Sequence, residues 1–561
     1  MGSAPLIDGL GPGSALVVVP AAGRFALAWS TGSTTVDDLV GIASLEPRWV
    51  WWSARTTAPA LLDAGLRPSR CWDLGTVGRL LHGLRRDDAA AVWAAEHELA
   101  EPPRPDGGLD LLDLHGESGL AVRPDGQLSR EWLRSCPEPE QWARLGLALQ
   151  VSQERRARQL PDPRTAATSV PMTLLTCYAE SGAALLAVEL ERTGLPLDVA
   201  AATALLEAVI GPRPRDAIDE LAHRTERDAR VLQHFPDRSL DLRSPSQVRE
   251  ALAGIGLDLP DTRSWRLAPY ATTVPAVAAL LTWRKAERTA TTYGWRWLDD
   301  NVGADGRLRG VWGSADAAAG RMTAQAGLHN LPAEMRSAVR AKPGHLLVRA
   351  DLGQVEPRVL AAVSGDAGLA AAAREPDMYT PVAAALRCDR PTAKVSVLAA
   401  MYGQTSGTAG AALRDMDRAY PAAMAYLRAA EDSGLRRRDL RTYGGRLLRL
   451  HALPAGEPVG ESVAVSGGFG RFARNAMVQG AAAELFKAWA GTVRAGLPEL
   501  DGEIVLCLHD ELLVHAPGRS ADAVAALLSE SLDHTASWWA AGSGVRFVAE
   551  VGYGDSWESA H

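Results

Sequence analysis

The sequence predicts an α+β chain with a separate amino-terminal domain that mixes strands and helices, on three observations. Short apolar, β-branched or aromatic runs crowd the first part of the chain: ALVVVPAA at 15–22, RFALAW at 24–29 and RWVWW at 48–52. Such runs read as buried strands. From 174 to about 300 the pattern turns helical, with Gly194 placed to cap one helix and Ser244-Pro245 to open another. Beyond 310, the strand-like runs VWGSA, HLLVRAD, EIVLCLH and FVAEVG alternate with helical stretches at 390–402, 408–433, 471–496 and 519–539. That mixture suits an α+β domain with a largely antiparallel sheet.

A chain of 561 residues exceeds what one core fills, so more than one domain is expected. Segment 101–127 is rich in Pro, Gly and Asp and reads as loops, and 154–170 reads as a polar, Pro-containing linker, with a domain boundary near 165. A net charge of −8 excludes a uniformly basic nucleic-acid binder, though not a local cationic groove. The five cysteines (Cys71, Cys136, Cys177, Cys388, Cys507) have no CxxC spacing, which points to reduced thiols in a cytoplasm rather than a disulfide framework or zinc site. ALVVVPAA has no basic segment before it and is interrupted by Pro20, so it reads as a strand and not a signal core.

Two acidic clusters each end an apolar run: VRADLGQVEPRVLA around Asp351 and IVLCLHDELLVHA around Asp510. A strand can hold a carboxylate rigidly at a sheet edge, and two brought together could grip a pair of divalent cations for phosphoryl or nucleotidyl transfer. RPTAKVSVLAAMYG spaces Arg390, Lys394, Leu398 and Tyr402 four apart on one helix face, with Pro391 in the first turn and Gly403 at the end. Arg390 and Lys394 one turn apart suit a polyanion. Alone, the segment reads better as an ordinary surface helix with two cations. The cations Arg284, Lys285, Arg288 and Arg296 likewise read as a solvated face.

Together these segments change the balance. DLGQVEPRVLA resembles motif A of family A DNA polymerases (DYSQIELR), RPTAKVSVLAAMYG their motif B, and CLHDELLV their motif C. GRMTAQAGLHNLP, RFARNAMVQGAAAELFK and the terminal EVGYGDSWESAH are similar to further family segments, in the family's order, over roughly 185–561. The resemblance implies a right-hand palm, fingers and thumb fold in 166–561 (thumb about 185–300, palm about 310–365 and 471–561, fingers about 366–470). It implies a ribonuclease H-like, 3′→5′ exonuclease-like α/β domain in 1–165.

The implied activity is template-directed, 5′→3′ addition of deoxynucleotides to a primer. Two Mg²⁺ ions, with Mn²⁺ as an alternative, would be held by Asp351, Asp510 and the Leu352 carbonyl, with Glu511 a further candidate ligand. Arg390 and Lys394 would hold the triphosphate; Gln354, Leu398, Tyr402 and His509 would line the nucleotide site, and Glu356 would act as the sugar gate. Arg321, Asn330, Asn475, Gln479 and Arg471 would contact DNA. Implied partners are primer–template DNA and dNTPs, with no membrane, for a monomer acting at the nucleoid in the cytoplasm.

Departures from the family pattern are informative. Leu398 stands where motif B carries an aromatic, Ala399 replaces Gly, Leu352-Gly353 replaces Tyr-Ser, Pro357 replaces Leu and His329 replaces Gln. LVVVPAAGRFALAWS contains no acid where an exonuclease needs Asp-x-Glu, and EQWARLGLALQVSQ lacks the closing Tyr-x-x-x-Asp. Asp73 survives alone, so the expectation is a degenerate domain without proofreading, and no 5′-nuclease. The alternatives are a weakened polymerase-fold DNA-binding protein and a two-metal nuclease.

Overall fold

In a computed structural model of the chain, residues 9–104, 120–316, 319–403, 409–452, 468–508 and 510–561 are described. The amino-terminal runs form a five-stranded sheet: β1 (Ala15–Ala21), β2 (Arg24–Trp29), β3 (Gly32–Val36), β4 (Arg48–Trp51) and β5 (Cys71–Asp73), in the order β3-β2-β1-β4-β5. β1, β2 and β3 form an antiparallel meander, while β4 runs parallel to β1 and β5 parallel to β4.

A second sheet holds the two acidic clusters. β6 (His345–Leu352), β7 (Glu503–Leu508), β8 (Glu511–Pro517) and β9 (Ala549–Gly554) pair in the order β7-β8-β6-β9, all antiparallel, as the sequence predicted. Val348, Ala350, Cys507 and Val514 are fully buried on one face, and burial of that face fixes the register.

Helix α1 (Met172–Thr193) joins the two halves. Its Leu185 and Val188 enter the core beneath the first sheet, and its Leu186 and Leu190 enter the main core. Each such side chain removed from water contributes roughly 1.5–3 kcal/mol. The helix is long and apolar enough to cross a membrane by length and composition, but 72% of that window is buried inside the protein. It ends at Gly194, with φ 69°, as the sequence predicted.

Two expectations need correction. A helix over Pro139–Gln159 runs into the segment read as a linker. Its inner face (Trp142, Leu149, Gln153, Ala157) is buried, and the arginines that made 154–159 look like linker form its outer face. The helix expected over 408–433 is two, Ala409–Ala419 and Pro421–Leu435, because Pro421 lacks the N–H needed inside a helix and starts a new one.

Behind and beside the second sheet lie α2 (Val355–Ser364), α3 (Arg390–Tyr402), α4 (Gly468–Gly496) and α5 (Ala521–Trp539). A small separate core of Val231, Leu252, Val277 and Leu280 occupies the region between 217 and 292.

Candidate active site at the edge of the second sheet

Asp351 is the penultimate residue of β6, directly across from Glu511 of β8 on one side and Glu550 of β9 on the other. Asp510 stands in the turn between β7 and β8, and its carbonyl accepts the Leu352 N–H at 2.8 Å. That bond brings the two aspartates together at one end of the sheet's strands. The Asp510 carboxyl is pushed up to about 7, first by burial and then by repulsion from Asp351. Asp351 is also raised by burial, against the pull of the Arg349 guanidinium. Burial and mutual repulsion both oppose charge on this pair, and a cation placed between them would relieve both. Hard oxygen donors of this kind fit a divalent ion such as Mg²⁺. Among the described residues no three His, Cys, Asp or Glu side chains converge to hold an ion by themselves, so two carboxylates would need water or substrate oxygens as co-ligands. His509, expected beside them, lies outside the described residues.

Glu511 is engaged elsewhere. Arg349 Nε donates to its Oε1 at 2.9 Å, Arg349 Nη2 to its Oε2 at 3.3 Å, and Trp557 Nε1 to Oε1 at 2.5 Å. Leu352 is buried and pairs with Ala549 of β9.

After β6 the chain turns through Gln354 in the left-handed region (φ 56°, ψ 39°) into α2. Gln354 Nε2 donates to Asp377 Oδ1 at 2.7 Å, and its Oε1 accepts the Met378 N–H at 3.0 Å. Asp377 also takes a bidentate pair from Arg390, Nε to Oδ2 at 2.7 Å and Nη2 to Oδ1 at 3.1 Å. These donors, Arg390 first, hold the Asp377 carboxyl well below the usual range. Arg390, expected to face a triphosphate, is therefore ion-paired.

α3 has the predicted bounds. Asp389 caps it by accepting the Thr392 N–H, Pro391 sits in its first turn, and Gly403 (φ 65°) ends it. Lys394 is exposed and Leu398 half-buried. Tyr402 donates its hydroxyl to Glu356 Oε2 at 3.1 Å. Burial raises the Glu356 carboxyl, opposed by hydrogen bonds from Tyr402 and Gln479 and by the charge of Arg321. Glu356, Tyr402, Gln479 and Arg321 thus come together from four segments. On α4, Asn475 precedes Gln479 by one turn, and Arg471 is exposed and packs near Gly403. Asn330 is exposed and is held by its backbone carbonyl, which accepts the Tyr293 hydroxyl at 2.6 Å.

Sequence reasoning missed the residues that hold this arrangement. Arg358 is fully buried, and its guanidinium donates to the carbonyls of Gly353, Ala373, Glu375, Pro376 and Arg546. Arg474 ties α4 to the Ala400 carbonyl at 2.6 Å and to Glu431 at 2.6 Å. An arginine inside an apolar helical run was the available signal for both. In the first sheet, Asp73 accepts from Trp51 Nε1 (3.0 Å), the Ala54 N–H (2.6 Å) and the Thr76 N–H (2.7 Å).

Residues 215–559 match the family model described as DNA polymerase family A. The chain belongs to that family. It is 28% identical to the thermostable DNA polymerase I of Thermus aquaticus over 314 residues, 51% of this chain and 36% of that protein. It is 25% identical to DNA polymerase I of Mycobacterium tuberculosis over 98% of this chain and 61% of that protein. The chain thus matches about a third of the length of the Thermus relative and under two thirds of the mycobacterial one. The fold is similar to that of the POL domain of Pol1 from M. smegmatis, solved in complex with DNA primer-template and dNTP. The TM-score is 0.66 at 21% identity, over 98% of this chain and 97% of that one. The family A fold agrees with the architecture expected from the sequence.

Proposed function

We propose that this family A chain is a template-directed 5′→3′ DNA polymerase that adds dNTPs to a primer 3′-hydroxyl. One observation supports this above the others: Asp351 and Asp510 share one end of the second sheet, and α3 reaches the adjoining turn from both its ends. Its first residue, Arg390, meets Gln354 through Asp377, and its last, Tyr402, meets Glu356.

Asp351 and Asp510, with the Leu352 carbonyl, would hold two Mg²⁺ ions. Such ions, when bound, activate the primer hydroxyl and neutralise the leaving pyrophosphate. Lys394 and Arg390 bind the triphosphate, Arg390 exchanging its Asp377 partner for phosphate oxygens. Glu356, positioned by Tyr402, blocks a ribose 2′-hydroxyl, and Leu398 offers the base and sugar apolar bulk without a flat ring. Arg321, Asn330, Asn475, Gln479 and Arg471 face DNA, where minor-groove acceptors similar for every pair let them test geometry without reading sequence. His509 orients the primer end. Glu511 acts through Arg349 and Trp557 rather than as a ligand. The segment 1–165 is an exonuclease-like domain without proofreading, supported by acid-free β1 and β2 and by the capping role of Asp73.

Primer extension with Mg²⁺, wild type against Asp510→Ala with DNA binding measured in parallel, tests the proposal. The expected result is a loss on the order of a thousandfold or more with binding retained. Wild-type protein that binds primer–template but never extends it would instead support a non-catalytic DNA-binding module.

A further inference from the structure

Arg349 lies two residues before Asp351 on β6, so both side chains leave the same face of the sheet. Across three strands that face carries a row of carboxylates, Glu511, Asp351 and Glu550, and the next row places Arg349 between Leu513 and Gly552. The guanidinium donates to Asp351 Oδ2 at 3.0 Å and to both oxygens of Glu511, and its Nη1 lies 3.1 Å from His561 Nδ1. Gly552 makes room for this: a Cβ there would lie 2.1 Å from the His561 carbonyl carbon, so only a glycine lets that residue lie across β9 beside Arg349. Trp557 fixes Glu511 from the other side. Arg349 is 18% exposed, engaged on three sides and always charged.

We infer that Arg349 is a built-in cation that holds down the affinity of the Asp351–Asp510 site for free divalent metal, so that metal is retained chiefly when a polyanionic substrate brings further oxygens and negative charge. The inference rests on the metal-binding role proposed above. One oxygen of Asp351 is already bonded to a positive group, and a fixed unit charge about 6 Å from a divalent cation weakens that cation's binding about tenfold even at the screening of bulk water.

The experiment is titration of the full chain with Mn²⁺, without nucleotide or DNA, free Mn²⁺ being read by electron paramagnetic resonance. R349Q removes the charge but keeps N–H donors for Glu511, and R349K keeps the charge. R349Q is expected to bind Mn²⁺ about tenfold more tightly than wild type, and R349K within about threefold of it. The gain should vanish when D510N is added to R349Q. Equal or weaker binding by R349Q overturns the inference. So does a gain of similar size in folded R349K, which decides the matter even where circular dichroism shows R349Q unfolded. If D510N lowers Mn²⁺ binding in the wild-type background, the metal site itself stands whatever becomes of Arg349. Mn²⁺ binding insensitive to D510N in every background overturns the site and the inference together.

Discussion

β1 and β2 of the first sheet carry no acid, and Asp73, at the end of its edge strand β5, is surrounded by donors. Trp51 and Ala54 share one carboxylate oxygen and Thr76 takes the other. In the second sheet Asp351 gives one oxygen to Arg349, and Asp510 is bonded to no other described side chain. Burial raises both Asp73, to about 6, and Asp510, to about 7. A raised pKa therefore does not separate them. What separates them is how far the carboxylate oxygens are already satisfied: Asp73 caps a helix and takes three donors, whereas Asp510 takes no donor from another described side chain, as the proposed metal site requires.

Removing Asp73 is the largest test of that contrast. Asp73→Ala strands the buried indole N–H of Trp51 and the backbone N–H groups of Ala54 and Thr76, at a cost of about 2–4 kcal/mol in urea unfolding. The protein that remains folded should extend primers at the wild-type rate. A metal-dependent 3′-nuclease activity in wild type, lost in Asp73→Asn without loss of stability, would show that Asp73 is catalytic and not structural.

A third carboxylate has the same raised pKa and a full set of donors. Glu484 on α4 is buried and, like Asp510, is pushed up to about 7 by burial, yet its oxygens are taken by the Thr442 hydroxyl and by the Gly444 N–H at 2.8 Å. The neighbouring Glu180 pairs with Lys487 at 2.8 Å and Arg446 at 2.6 Å. Because folding raises its pKa, Glu484 favours the folded state fully below about 4.5, and that contribution is lost as pH rises through 7. Glu484→Gln mimics the neutral form and should abolish this slope. Between pH 5 and pH 8 the wild type should lose about 1–3 kcal/mol relative to the variant in urea unfolding. Parallel curves would show that Glu484 is charged in the folded state at both pH values.

The strands, the span of α3 and the acids at the strand ends were legible because each depends on local pattern: apolar runs, a Pro in the first turn, a Gly at the end. Partners set by register were not. The row Glu511–Asp351–Glu550 exists only once three antiparallel strands are aligned. Arg349 could have been read from its two-residue spacing to Asp351, but not its bonds to Glu511 and His561, residues 162 and 212 positions away. Asp377 was invisible for another reason. Its contact with Gln354 depends on a left-handed turn at a non-glycine residue, which no propensity announces.

Asp377 also supplies the smallest test, since it puts an anion where the proposal needs a phosphate. Arg390 is half-exposed, so its ion pair with Asp377 is screened and weak. Asp377→Asn keeps an oxygen for Gln354 and removes the charge that competes with an incoming triphosphate. The expected effect is a nucleotide KM lowered about three- to tenfold, with kcat within about twofold of wild type, in steady-state primer extension. A raised KM would mean the opposite: that Asp377 aims Arg390 at the phosphates, and that the pairing here is a scaffold rather than a competitor. The sign of the change therefore decides whether a satisfied carboxylate next to the second sheet is structural, as Asp73 is beside the first, or part of how the site admits its substrate.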